Sequence, residues 1–155
     1  RVWNRYAPAN PMARGAIVLQ ALRVGLPWSM LSRQSTAVDL GAATGPRGIA
    51  VRVVEFPLEE ERKIVVEIDP ETGYILRSRG IQRMGARLVE FATVYSDFRK
   101  VGGRVHAARE DQTAAGTPTG YSIIESIEYL DTLPDSVFAP WESAGRVVPM
   151  DVPAA

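Results

Sequence analysis

Between residues 63 and 140 the chain alternates apolar and polar side chains segment by segment, with its turns spelled out in between, and this pattern narrows the fold more than anything else in the sequence. Lys63-Ile-Val-Val-Glu-Ile68 and Tyr74-Ile-Leu-Arg-Ser-Arg79 flank Asp69-Pro-Glu-Thr-Gly73. Pro70 presets φ for a type I turn, and Gly73 can take the left-handed position that closes such a hairpin. Further strands are expected at 37–42, 49–56, 86–98, 104–109 and 120–130, with a bulge or strong twist in the long 86–98 run and a loose loop at 114–118. A meander of six or seven antiparallel strands follows. Ile64, Val66 and Ile68 should face one way and Val65 and Glu67 the other, because successive strand side chains point to opposite sides.

Upstream the period changes from 2 to about 3.6. Asn10 before Pro11 is a helix start, since Asn accepts orphan N–H groups and Pro at the first helical position has none to leave unpaired. The helix should run over 11–25, with Ile17, Val18, Ala21, Leu22 and Val24 on its buried side, Arg14 and Arg23 in solvent, and Gly25 and Pro27 ending it. Residues 1–10 read as an extended arm and 141–155 as an irregular tail, leaving one domain over 11–140 with its sheet at about 37–131. The expected fold is mainly β with α: a curved, open antiparallel sheet, a half-barrel, with the helix on its concave face.

Eighteen basic and eighteen acidic side chains cancel, so no overall field draws the chain to nucleic acid or to an anionic membrane surface. With no cysteine there is no disulfide or thiolate metal site, and no apolar run approaches the length of a transmembrane helix in this stretch. His106 is the only histidine, too few for a zinc site. No serine stands in a nucleophile elbow, and the glycines make no phosphate-cradling loop between strand and helix. Asp69 and Asp97 sit at turn positions where aspartate accepts local backbone bonds, and Asp39, Glu55 and Glu67 read as outward-facing strand residues. The sequence therefore implies no cofactor, no metal and no enzyme chemistry.

The ordered series Ile68-Asp-Pro-Glu-Thr-Gly-Tyr74, Tyr95-Ser-Asp-Phe-Arg-Lys-Val-Gly-Gly103, a strand ending near Asp131, and Leu133-Pro-Asp-Ser-Val-Phe-Ala-Pro140 resembles the C-terminal half of the outer-membrane lipoprotein carrier and lipoprotein-sorting superfamily. It covers about residues 35 to 141. The chain departs from that pattern at His106 and Ala107, where a proline is common, and it has no counterpart of the N-terminal strands among residues 1–34. The resemblance implies a non-enzymatic protein of the periplasm or cell envelope that binds a lipid or a lipoprotein acyl chain in the hollow of its sheet. Trp28, Met30, Leu31, Phe91, Tyr95, Tyr121 and Tyr129 are the apolar groups suited to line that hollow. Trp28 and Met30 are large enough to fill its open end, so truncating Trp28 would cost about 3 to 5 kcal/mol. The alternative is a structural or accessory subunit of an envelope or membrane-protein complex. It would use the same sheet as a scaffold without ligand and anchor to protein partners through Trp3, Tyr6 and Trp141.

Overall fold

The computed structural model describes residues 11–132 and 134. The chain divides into two compact units, residues 10–127 and a second formed by 1–9 with 128–155. Of the second, residues 128–132 and 134 are described, and they form neither helix nor strand. The anchors Trp3, Tyr6 and Trp141 lie outside the described residues.

In the first unit a single open sheet holds seven antiparallel strands in chain order: β1 (Val38–Thr44), β2 (Ala50–Pro57), β3 (Lys63–Ile68), β4 (Ile75–Met84), β5 (Arg87–Val101), β6 (Arg104–Ala114) and β7 (Thr117–Ile123). Short turns make this order, since each returns the chain beside the strand it has just left. In the β3–β4 hairpin Gly73 sits at φ 74°, its N–H donating to the Asp69 carbonyl at 2.8 Å. The Asp69 carboxylate accepts from the Glu71 N–H at 2.9 Å and the Thr72 hydroxyl at 2.7 Å, the local role expected of it.

Two details differ from the sequence reading, at 114–118 and at the end of the last strand. The 114–118 stretch is a two-residue turn, with Ala115 at φ 48° and Gly116 at φ 78°, the mirror-image geometry that matches strand twist, so Thr117 and Pro118 already belong to β7. Pro118 is tolerated because β7 is an edge strand. The last strand stops at Ile123 and not near 130; the Ile124 N–H still reaches the Ala108 carbonyl at 2.9 Å, and no ladder continues beyond it. In β5 the ladder to β6 passes over Asp97, held at φ 53°, and resumes in the same register, while the register shifts fall at Asp39/Gly41, Glu67/Ile68 and Gln112/Thr113.

Both sides of β3 are covered, in the alternation expected. Ile64 and Val66 form one cluster with Leu19 and Met30, and Val65 forms another with Val51, Val53 and Leu76. Glu67 is buried at 3 % exposure where solvent was expected. Across the hairpin Arg77 donates to its Oε1 at 2.9 and 2.6 Å, charge-assisted bonds that offset part of the cost of burial, while Oε2 is buried without a hydrogen-bond partner.

Candidate functional site

The helix α1 (Pro11–Val24) lies on β4 and β3, and the 3₁₀ segment Trp28–Thr36 lies on β2, on the same side of the sheet. This is where an acyl-binding hollow would be found. It is closely occupied. Leu19 is 1 % exposed, Met30 3 % and Ile64 0 %, with Leu22, Leu26, Val54 and Phe56 packed against them. Gly80 fixes how near the helix comes: a Cβ there would stand 3.3 Å from Leu19 Cβ and 3.2 Å from Arg23 Cδ. A side chain in its place would press Leu19 and Arg23 outward by a few tenths of an ångström, so the mid-strand glycine eases the close approach of the helix.

Arg23 then pins the helix. Its Nε donates to Ser78 Oγ at 3.2 Å, its Nη2 to Thr93 Oγ1, and its Nη1 to Gln20 Oε1 at 3.3 Å, while Ser78 Oγ and Tyr95 Oη share a bond at 2.8 Å. Ser78 pairs with Thr93 across β4 and β5 and with Val66 across β3 and β4, so these groups share the helix-facing side. Burial pushes the guanidinium below its ordinary pKa, against the pull of Tyr95, Glu110 and Glu90. Burial likewise raises the Tyr95 phenol, which the Ser78 bond and the Arg23 charge partly offset. Every atom of this cluster that bonds Arg23 is a hydroxyl or amide oxygen. It holds one cation without a carboxylate in contact, and its chemistry is that of a peg in a polar slot.

The helix is therefore turned relative to expectation. Its sheet-facing stripe is buried Gly15, Leu19 and Arg23 with half-buried Leu22, as expected of Leu22, whereas Ile17 is 61 % exposed, Val18 37 % and Val24 75 %, with Ala21 exposed as well. Arg23, expected in solvent, is 4 % exposed. The pattern misled because α1 is apolar round most of its circumference, and the side that docks is selected by Gly80, Ser78 and Thr93, which lie 55 or more residues away along the chain.

The residues expected to line a hollow do not converge. Met30 is core. Trp28 is 58 % exposed and Leu31 63 %, on the outer side of the 3₁₀ segment, so Trp28 does not fill the open end. Phe91, paired with Gly80, and Tyr95 are half-buried on the helix-facing side of β5. Tyr121, 65 % exposed, is paired with Asp111 on the opposite side, where the Arg109 guanidinium lies 5.1 Å from its ring centre. Tyr129 belongs to the second unit, on an irregular stretch.

Two hollows lie elsewhere. One of about 200 Å³ is bordered by Arg47 and Ile49 of the β1–β2 turn, Tyr74 and Leu76, and Ser96 and Phe98 of β5. The other, about 50 Å³, is bordered by Arg99, His106 and Ile124 among others. Neither is bordered by a residue of α1 or of the 3₁₀ segment. Among the described residues no group of three His, Cys, Asp or Glu side chains is placed to hold a metal ion, and no helix is long and apolar enough to cross a membrane. Comparison with protein-family models, with curated proteins and with solved structures finds no match.

Proposed function

We propose that this chain is a non-enzymatic docking module of the cell envelope, a structural or accessory subunit that uses a lipoprotein-sorting-like sheet as a scaffold and carries no lipid beneath its helix. The observation that supports this reading is the seating of α1: Leu19 against Gly80 and Arg23 in its hydroxyl slot fill the place where an acyl chain would lie. Native interiors leave few voids larger than a water, and a carrier needs a connected one. In this reading the sheet is a curved half-barrel with α1 on the concave side. The three register shifts support the curvature, since each bulge bends its strand and raises the local twist.

Native mass spectrometry of protein isolated from its own envelope tests the proposal, together with titration by a fluorescent fatty acid. The expected result is protein without lipid and no saturable uptake. One acyl lipid per chain would overturn the docking reading in favour of carriage, the second reading, which Phe91 and Tyr95 on the helix-facing side of β5 favour.

A further inference from the structure

Sheet-facing residues of α1 and the 3₁₀ segment, Leu19, Leu22 and Met30, belong to one buried cluster, so the exposed residues of both elements point away from the sheet. Ile17, Ala21 and Val24 follow each other at spacings of four and three, which places them on one helical face. Trp28 and Leu31 are three apart, the spacing that aligns side chains on a 3₁₀ segment. A helix apolar round most of its circumference is ordinarily buried over most of it, yet α1 is covered on one side only. The outer side thus asks for a cover.

Charge distinguishes among the covers. The chain is neutral overall, but its first acidic residue is Asp39; residues 11–38 carry Arg14, Arg23 and Arg33 and no Asp or Glu. With Arg23 buried, the outer surface presents exposed Arg14 and half-exposed Arg33 beside the apolar stripe. Asp39, the acid that follows the 3₁₀ segment in the chain, is paired with Arg52, and further acids stand on the β2–β3 turn, at the sheet end where Gly15 approaches Arg62. There Glu60 pairs with Arg62 at 3.0 Å and Glu61 with Arg83. This face offers five large apolar side chains, Ile17, Val18, Val24, Trp28 and Leu31. They are enough to enter the headgroup boundary, where tryptophan sits well and arginines meet anionic lipid.

Resting on the docking reading above, we propose that the outer face of α1 and of the 3₁₀ segment, Ile17, Val18, Val24, Trp28 and Leu31 flanked by Arg14 and Arg33, docks on an anionic lipid membrane surface. The whole 155-residue chain, with Trp3→Phe and Trp141→Phe so that Trp28 reports alone, is mixed with vesicles of phosphatidylcholine with and without phosphatidylglycerol. Flotation and the Trp28 emission maximum are read. Binding and a blue shift are expected with the anionic vesicles, Val24→Glu should weaken binding at least about tenfold, and Arg14→Gln and Arg33→Gln about fivefold each. Circular dichroism and thermal midpoints, unchanged for these exposed positions, show that the variants fold. Equal binding by Val24→Glu, or none by the parent, overturns the inference. Self-association lost in Val24→Glu, without vesicle binding, would make a second copy the occupant and leave the docking reading standing; a stoichiometric lipid in the native mass spectrum would remove the docking reading itself.

Discussion

On one side of β3, Ile64 and Val66 are closed off by residues from outside the sheet, Leu19 of α1 and Met30 of the 3₁₀ segment. On the other side Val65 packs with Val51, Val53 and Leu76, and the cover comes from the sheet and its turns: Tyr74 and Phe98 with ring centres 4.7 Å apart, the β1–β2 turn at Gly45 pressed near Val51, and Glu67 bonded to Arg77. The second cover consists of residues already brought together by hairpins. The first depends on docking an element whose key partner, Thr93, is 70 residues distant. Stability on the helix side therefore rests on a few specific contacts, and on the far side on neighbours that the strand pairing supplies.

Four measurements sharpen or break this contrast. Leu19→Ala should show the largest effect, a loss of about 2 to 5 kcal/mol in urea unfolding, as for other buried leucines; a loss within the range of a surface substitution would mean that the helix is not part of the core. Arg23→Met keeps the apolar stem but removes the charged donors from Ser78 and Thr93, and should cost about 1.5 to 3 kcal/mol. A double-mutant cycle with Thr93→Val should return a coupling of at least about 0.5 kcal/mol, and additivity would remove the slot from the account. Trp28→Ala should change stability by no more than about 0.5 kcal/mol, because the ring is largely exposed; a loss of about 3 kcal/mol would restore it to the core.

The smallest effect is a pH dependence on the far hairpin. The Thr72 hydroxyl, with the Glu71 N–H, holds the Asp69 carboxyl below the usual carboxylate range. Its contribution is thus present above the unfolded value of about 3.9 and is lost as pH falls through the lower folded value. Amide exchange at Gly73 should accelerate relative to Asp69→Asn only in that acid window, and a parallel profile in both proteins would show that the turn does not depend on this charge.

The strands were legible because alternation and turn residues are local: Asp69 to Gly73 states its own hairpin, and Ile64 and Val65 declare opposite sides. Ala115-Gly116 was misread since Pro118 looks like loop material until its edge position is known. The rotation of α1 was hidden for a different reason. Arg23 is charged, so local reasoning puts it in water; only the pairing of Ser78 with Thr93 across β4 and β5, a fact of the sheet, creates the slot that receives it. Glu67 was hidden likewise, since Arg77 meets it only after the hairpin closes. As for the candidate surface, its acid-free stretch was in plain view but cancelled in the total charge.

Strict chain order of the seven strands has a consequence for how the molecule assembles. Each ladder joins neighbours in sequence, so most sheet contacts close short loops and cost little chain entropy, the condition for fast formation. The docking of α1 is the exception, closing loops of 55 and 70 residues at Ser78 and Thr93. Substitutions at Leu19 or Arg23 should accordingly raise the unfolding rate and leave the folding rate nearly unchanged, since their contacts form after the transition state. Loop length thus predicts that the meander folds first and the helix closes onto it last, and amides of α1 should then exchange before those of β3 and β4.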